Sequence, residues 1–236
     1  MNDKPIRLQD VSMAFGDVEV FSRLNLEIVR GEFLAVVGPS GCGKTTLLNL
    51  LSAFMPPTDG TLECTGLMRM VYQHDGLFPW LTVAENISLG LRDLPDIEEK
   101  KRQLAAMLEL IKLPGFAGHY PHQLSGGMKQ RVELARALAG ESDILLMDEP
   151  FSALDYLTRL RLRGELVRML NERPRTVILV THDIEEAAQL ADRVVVLSDR
   201  PATIRRVLEM DLPRPRDLTH PVVVDAIHTI LQELGM

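Results

Sequence analysis

Eight consecutive residues, Gly38–Thr45, follow the pattern G-x-x-x-x-G-K-T, which combines three glycines with a lysine and a threonine. Glycine adopts backbone angles that a side chain would forbid, so successive N–H groups can face one concavity. Lys44 would bring a positive charge to the β- and γ-phosphates of a nucleotide, and Thr45 would offer a hydroxyl to Mg²⁺. The alternative is a glycine-rich turn with a solvated lysine. We predict a nucleoside triphosphate site at these residues.

Two adjacent acids, Asp148 and Glu149, follow the apolar run 144–147. Side chains alternate along a strand, so the two carboxylates point in different directions where the chain leaves the sheet. In enzymes with such a phosphate loop, the acid that ends this strand holds the hydration shell of Mg²⁺. The next carboxylate can then act as general base for an attacking water. The alternative is a pair of solvated acids at a strand end.

Two further polar residues, His182 and Gln73, stand at the ends of predicted strands over 176–181 and 68–72. Ligand-binding residues of α/β sheets collect at the carboxyl ends of the strands, which favours a functional role for His182. Gln73 could present its amide to a metal or to water. The alternatives are a structural histidine and a polar loop glutamine.

The residues Ser125, Gly126 and Gly127 open a helical pattern of apolar residues. A helix N-terminus with an exposed hydroxyl and free N–H groups is a second anion-binding surface. The alternative is an ordinary serine-capped helix.

These residues require a sheet and helices to position them. The apolar run 32–37 predicts a buried strand before the phosphate loop, and the leucines of 46–51 predict a helix after it. Residues 6–28 alternate between apolar and polar around a turn at Gly16, which predicts antiparallel strands. Phe15 precedes this turn and is either a hairpin aromatic packed on the sheet or a platform for an adenine ring.

The middle of the chain, about residues 74–120, is predicted to be a mostly helical insertion on the nucleotide core. Residues 96–112 have the spacing of a charged amphipathic helix. Thr82 stands at capping-box spacing before another helix. Trp80 lies in an apolar loop that belongs either to the core or to a surface for a partner.

The composition limits the class of protein. The length of 236 residues suits one large α/β domain, and a net charge of −7 argues against a general nucleic-acid binder. Cys42 and Cys64 are too few for a disulfide framework, which favours a reducing cytosol. No stretch approaches the roughly 18 apolar residues of a membrane span. Any work at a membrane therefore requires docking onto another protein.

Taken in chain order, these motifs resemble those of the ATP-binding subunit of ABC transporters. The discriminating motif is 124–131, which is similar to the family's signature sequence, and 152–155 is similar to its D-loop. The resemblance implies an α/β fold: a P-loop NTPase (RecA-like) core with an antiparallel β subdomain and an inserted helical subdomain. It implies a single ABC ATPase domain over 1–236, with the helical subdomain at about 74–135 and a C-terminal tail at about 212–236.

The resemblance also implies a role for each motif residue, with ATP and Mg²⁺ as cofactors. The implied catalytic residues are Glu149, His182, Gln73 and Asp148, and the implied metal-binding residues are Thr45, Gln73 and Asp148. The implied nucleotide-binding residues are Phe15, Gly38, Pro39, Ser40, Gly41, Cys42, Gly43, Lys44, Thr45, Thr46, Ser125, Gly126, Gly127 and Asp155. Among these, Ser125 and Gly127 would bind the ATP held by the opposite subunit.

The implied partners are a second copy of the chain in the ATP-bound state and integral-membrane permease subunits, which would dock near residues 73–87. No nucleic acid is expected. The segments 77–86, 150–155 and 197–201 resemble the nitrate/sulfonate/taurine importer group, whose members work with an extracytoplasmic substrate-binding protein. The stretch 60–73 is shorter than is usual in that group. The implied location is the cytoplasmic face of the inner membrane.

Two alternatives stay open from the sequence. One is a soluble ABC-type ATPase that is not coupled to transport, which would be expected to carry a coiled-coil insertion, tandem cassettes or a basic face. The other is a P-loop kinase or GTPase, which would not need the element Ser125–Gly127. The transported solute is not encoded in any motif of this chain.

Overall fold

The computed structural model describes residues 4–73 and 76–235. The strands of the described chain are, in order, β1 Ile6–Phe15, β2 Val18–Ile28, β3 Phe33–Val37, β4 Asp59–Cys64, β5 Met68–Val71, β6 Ile144–Asp148, β7 Thr176–Val180, β8 Arg193–Leu197 and β9 Ile204–Glu209. The α-helices are α1 Lys44–Leu51, α2 Val83–Ser88, α3 Ile97–Leu110, α4 Gly126–Ala139, α5 Tyr156–Glu172, α6 Ile184–Leu190 and α7 Pro221–Leu234.

A six-stranded sheet in the order β5-β6-β7-β3-β8-β9 forms the centre of the molecule. The strands from β5 to β8 run parallel, and β9 pairs antiparallel with β8. Every residue of β3, β6 and β7 is buried, as is typical of parallel strands covered on both faces. The predicted buried strands and the predicted P-loop NTPase core are confirmed.

Alternation of side chains along these strands divides the interior into two cores. In β3, Ala35 and Val37 pack toward the helices on one side, and Leu34 and Val36 pack toward α1 and a second sheet on the other. The result is a three-layer arrangement with the central sheet in the middle.

The second sheet is antiparallel, with the order β2-β1-β4. Phe15 pairs with Val18 across the predicted turn, which confirms the hairpin. β4 begins at Asp59, within the segment 56–60, whose two prolines, aspartate and glycine are typical of a turn. Gly60 allows this early start because its φ is +86° and because an ideal Cβ there would lie 2.3 Å from the carbonyl oxygen of Asp10.

The region between β5 and β6 is helical, as predicted. The side chain of Thr82 caps α2 in a complete capping box, and α3 buries Met107 and Leu108. The predicted subdomain starts at residue 74, which lies outside the described residues together with residue 75. Its predicted end at 135 falls inside α4, where the helix continues without a break. The subdomain boundaries stay a prediction.

The C-terminal segment packs onto the central domain. α7 buries Val223, Ala226 and Ile230 in the core on the helical side of the sheet. Within the described ranges, no helix has the length and hydropathy needed to cross a membrane.

Candidate functional site

The phosphate loop lies between the carboxyl end of β3 and the start of α1. Gly43 has a φ of +115°, and an ideal Cβ there would lie 2.5 Å from Cγ1 of Val20 and 2.9 Å from the ring of Phe21. Only glycine fits this position, because both the backbone angle and the contact with β2 exclude a side chain. Gly43 also begins α1 without a side-chain cap. The N–H groups of the first helical turn therefore have no acceptor within the helix and can meet an anion.

Lys44 is buried beneath this loop. Its Nζ donates to the carbonyl oxygens of Gly38 at 2.7 Å and Pro39 at 3.0 Å. A positive charge is thereby held at the centre of the turn. Burial raises the pKa of the neighbouring Cys42 thiol against the opposing effect of Lys44, so the thiol stays protonated and packs as an apolar group.

Thr45 and Asp148 meet at the start of α1. The hydroxyl of Thr45 donates to Oδ2 of Asp148 at 2.8 Å, although the two residues come from α1 and β6. Within the described residues, no group of three or more His, Cys, Asp or Glu side chains is placed to hold a metal. A hydroxyl, a carboxylate and the Gln73 amide are instead the oxygen donors that Mg²⁺ prefers, often with waters and substrate phosphates completing its shell. The residues present fit that ion.

Glu149 stands between two of the predicted site residues. Its Oε2 accepts a hydrogen bond from Nε2 of Gln73 at 2.8 Å, and its Oε1 lies 3.0 Å from Nδ1 of His182. The side chain of Glu149 is 15% exposed and that of His182 is 63% exposed, so the histidine forms the outer wall of the group. The residues that follow β5, β6 and β7 therefore meet at one edge of the sheet, as predicted. A carboxylate in this position can accept a proton from water beside a phosphate cradle.

The signature segment has different neighbours. Ser125 caps α4 by accepting from the N–H of Met128, and an ideal Cβ at Gly127 would lie 2.9 Å from the carbonyl oxygen of Ala153. Gly126 has open space around it. No hydrogen bond joins these three residues to the phosphate loop in the part of the chain that the structure describes.

Asp155 and Phe15 are also apart from the phosphate loop in their described contacts. Asp155 caps α5 by accepting from the N–H of Thr158 at 3.0 Å, and the hydrogen bonds from Thr158 lower the pKa of this carboxyl. The Phe15 side chain is 50% exposed at the tip of the hairpin. An aromatic residue this exposed has area available for contact with a ligand.

A buried charged cluster behind His182 has no counterpart among the sequence predictions. Oδ2 of Asp183 accepts from Arg159 at 2.8 Å and from Arg163 at 2.6 Å, and the hydroxyl of Thr181 donates to the carboxyl of Glu186. These contacts join α5 to α6 on both sides of His182. The only signal in the sequence is charged residues at helical spacing on apolar faces, which is ambiguous without the partner helix.

Gln130 is a second residue without a predicted role. It lies in the signature motif, yet its side chain turns away from the predicted anion site and contacts the segment that begins at Glu149. Its contacts are with residues about 20 positions further along the chain, so local pattern could not reveal them.

Known proteins share these features. The sequence profile of the ABC transporter family matches residues 21–152 of this chain. "Aliphatic sulfonates import ATP-binding protein SsuB 1" of Agrobacterium fabrum is 41% identical over 228 residues, which is 96% of this chain and 82% of that protein. "Bicarbonate transport ATP-binding protein CmpC" of Synechococcus elongatus is 46% identical over 213 residues, which is 84% of this chain and 32% of that protein.

A solved structure is also similar. The dimeric, post-hydrolysis ATP-binding cassette MJ0796 bound to ADP and Pi has a TM-score of 0.79 and 31% identity to this chain. The match covers 88% of this chain and 100% of the solved one.

Proposed function

The chain belongs to the ABC transporter family, and we propose that it is the ATP-hydrolysing, energy-coupling subunit of an importer for a small solute. The observation that carries this proposal is the placement of Glu149 between Gln73 and His182, at the same sheet edge as the phosphate loop. At that loop, α1 begins without a side-chain cap. The family match and the ADP-bound relative support ATP as the nucleotide.

Within one chain, we assign binding to the phosphate loop and proton transfer to Glu149. The first-turn N–H groups of α1 and the ammonium of Lys44 bind the phosphates. Thr45, Gln73 and Asp148 would hold Mg²⁺, which neutralises phosphate charge when bound. Glu149 accepts the proton of the attacking water, and His182 orients that carboxylate and contacts the γ-phosphate. The exposed ring of Phe15 would stack on the adenine.

A second copy of the chain would complete each site. Ser125, Gly126 and Gly127 have no hydrogen bond to their own phosphate loop within the described residues, which supports a role on the ATP of the partner. The D-loop residue Asp155 follows Ala153 and Leu154, whose atoms lie nearest to Gly127, and we assign it to the same nucleotide-binding surface. ATP would then join two subunits head to tail. The similar MJ0796 cassette is itself dimeric.

Closure and opening of this dimer would supply the mechanical step. The γ-phosphate carries charge that only the closed dimer satisfies, so ATP stabilises that state and hydrolysis removes the stabilisation. The permease subunits would follow this change between inward- and outward-facing states, with this chain bound peripherally at the cytoplasmic face of the membrane.

We assign permease docking to the loop before α2. Trp80 is 69% exposed, and its ring lies 5.4 Å from that of Phe78 in a tilted pair. Asn86 holds this loop in place, because its side chain bonds to the backbone of both Phe78 and Leu81. A rigid loop that presents two aromatic rings is suited to bind a partner.

The solute is proposed from the relatives named above. The segments that resemble the nitrate/sulfonate/taurine importer group make nitrate, taurine and aliphatic sulfonates candidate solutes, and SsuB 1 is a sulfonate relative. The name of CmpC adds bicarbonate. These solutes are small and carry an anionic group. An extracytoplasmic substrate-binding protein would deliver the solute to the permease.

The test is ATP hydrolysis by the tagged chain co-purified with its membrane partners from native cells. Nitrate, taurine, alkanesulfonates and bicarbonate would each be added together with the cognate binding protein. We expect one solute class to stimulate hydrolysis, because the loaded binding protein favours the closed dimer. Hydrolysis that is indifferent to every solute, with no integral partner recovered, would instead indicate a soluble ABC-type ATPase.

A further inference from the structure

The side chain of Gln130 is held at both ends of its amide. Its Nε2 donates to the carbonyl oxygen of Glu149 at 2.9 Å, and its Oε1 accepts from the N–H of Ala153 at 3.0 Å. A third contact of 3.3 Å joins Nε2 to Oγ of Ser152. The residue is only 5% exposed, so its amide depends on these protein partners for its hydrogen bonds. Gln130 therefore spans the loop that runs from the general base toward α5.

The backbone that Gln130 holds is strained. Glu149 has a φ of +47°, in the left-handed region that non-glycine residues seldom occupy. A conformation of this kind persists only when its surroundings hold it in place. The N–H of Glu149 donates to the carbonyl oxygen of Val180 at 2.9 Å, and its carbonyl accepts from Gln130 at 2.9 Å. The same carbonyl also accepts from the hydroxyl of Ser152 at 3.0 Å and from the N–H of Ser152 at 3.2 Å, which close the loop locally. Gln130 is thus the contact that ties this local turn to α4, while β7 fixes the N–H of Glu149.

The carboxylate of Glu149 depends on this backbone. With the left-handed turn in place, its two oxygens reach Gln73 and His182. A rotation of the Glu149 backbone would move the carboxylate away from both residues. A misplacement of about 1 Å at a reacting group can reduce a rate by roughly 100-fold.

The same face of α4 also holds the segment that leads to Gln73. Glu133 lies one turn after Gln130, is buried, and accepts from the N–H of Tyr72 at 2.5 Å. One helix therefore contacts the backbone on both sides of the Glu149–Gln73 hydrogen bond.

We propose that Gln130 is a positioning residue for ATP hydrolysis, which holds Glu149 in its left-handed conformation and fixes the position of its carboxylate relative to α4. This inference rests on the proposed function, in which Glu149 is the general base. Among the described residues, Gln130 makes no hydrogen bond to the phosphate loop, so its effect on hydrolysis passes through Glu149 and the loop that follows it.

Two substitutions test the assignment. Gln130→Met removes all three hydrogen bonds of the side chain at nearly constant length. Gln130→Glu keeps the shape and the acceptor but removes the donor to the Glu149 carbonyl. We expect kcat for ATP hydrolysis to fall roughly 10- to 100-fold in both variants, with the dissociation constant for ATP within about twofold of the original. Gln189→Met is the matched control, because Gln189 is a partly buried glutamine on α6 whose amide donates to the carbonyl oxygen of Arg216. The kcat of this control variant should equal that of the original chain.

A double substitution separates positioning from general destabilisation. In single-turnover hydrolysis, Gln130→Met added to Glu149→Gln should cause no further loss, because the group it positions is already gone. Losses that multiply would overturn the proposal, as would a Gln130→Glu variant that turns over ATP at the original rate.

Hydrogen exchange provides a readout that does not need activity. The amide of Ala153 should exchange faster in Gln130→Met than in the original chain or the Gln189→Met control, since its acceptor is lost. Unchanged exchange over residues 149–155 would contradict the proposal. If the original chain does not hydrolyse ATP at all, the proposed function fails, while this measurement still decides whether Gln130 holds the loop.

Discussion

At the scale of single residues, the acids of this region differ mainly in what surrounds them. Asp148 is buried against the hydroxyl of Thr45, and Glu149 lies between two polar side chains near solvent.

Glu186 is buried behind the site, where burial raises its pKa to about 7 against the opposing effect of Arg163. The pKa of Asp183 is lowered although burial alone would raise it, because the Glu186 N–H and Arg163 favour its charged form. The region thus contains acids of different proton affinity.

The raised pKa of Glu186 has a consequence for stability. The ordinary pKa of 4.5 applies to the unfolded chain, so between pH 4.5 and about 7 the folded state holds a proton that the unfolded state has lost. The contribution of Glu186 to the free energy of unfolding therefore falls as pH rises through this window. In Glu186→Gln that fall is absent, because the amide does not titrate.

The measurement is urea denaturation of both proteins at several pH values. We expect the free energy of unfolding of Glu186→Gln, minus that of the original chain, to increase as pH rises from 4.5 to 7. Arg159, Arg163 and Asp183 face this carboxyl and are present in both proteins, so the comparison isolates Glu186. A difference that is constant with pH would show that Glu186 titrates normally.

At the scale of elements, local hydrogen bonds make the loop before α2 a defined surface. The capping box of Thr82 and Glu85 fixes the start of α2, and the Asn86 side chain holds the loop backbone against it. The guanidinium of Arg136 on α4 lies 5.9 Å from the centre of the Phe78 ring. The loop that presents Trp80 is therefore supported by two helices.

Trp80→Ala should weaken the complex with the permease without affecting nucleotide binding. Loss of an exposed tryptophan from the centre of an interface typically costs about 2 kcal/mol or more of binding free energy, which is roughly 30-fold in affinity. Co-purification with the permease and solute-stimulated hydrolysis would both be measured. Val207→Ala on β9 removes another exposed apolar side chain and should leave the coupling intact. Normal coupling in Trp80→Ala would refute the docking assignment.

At the scale of the whole molecule, the proposed site is incomplete in one chain. The phosphate loop and Glu149 lie at the sheet edge, while the signature residues lie at the start of α4 and contact the D-loop. Two copies arranged head to tail would place the α4 N-terminus of one copy opposite the phosphate loop of the other. ATP would then contribute to both affinity and closure.

Glu149→Gln should preserve ATP binding and remove turnover, and it should therefore accumulate as an ATP-bound dimer. We expect kcat to fall by about 10²- to 10⁴-fold, the usual contribution of a general base. Light scattering in saturating MgATP measures the dimer. The same variant with Lys44→Ala should stay monomeric, because the phosphates lose their cation. A monomeric Glu149→Gln in saturating MgATP would argue against a shared site.

Much of the fold could be predicted because its signals are local. The apolar run of β6 and the leucines of α1 each act through neighbouring residues, and the structure confirms both elements. The start of β4 at Asp59 does not follow from local composition, because it depends on the close approach of Gly60 to Asp10, 50 positions earlier in the chain. The amino-acid composition of this segment gives no indication of a contact with so distant a residue.

The sequence by itself determined which chemical groups are available and in which local element each one stands: a phosphate loop between a strand and a helix, acids at a strand end and a serine at a helix start. Only the tertiary structure decided which of them meet. The order β5-β6-β7-β3 brings Gln73, Glu149 and His182 together from positions far apart in the chain. It also turns the Gln130 amide onto the Glu149 backbone. The reason is physical, because local pattern specifies strands and helices, whereas packing of the sheet and its helices selects their neighbours.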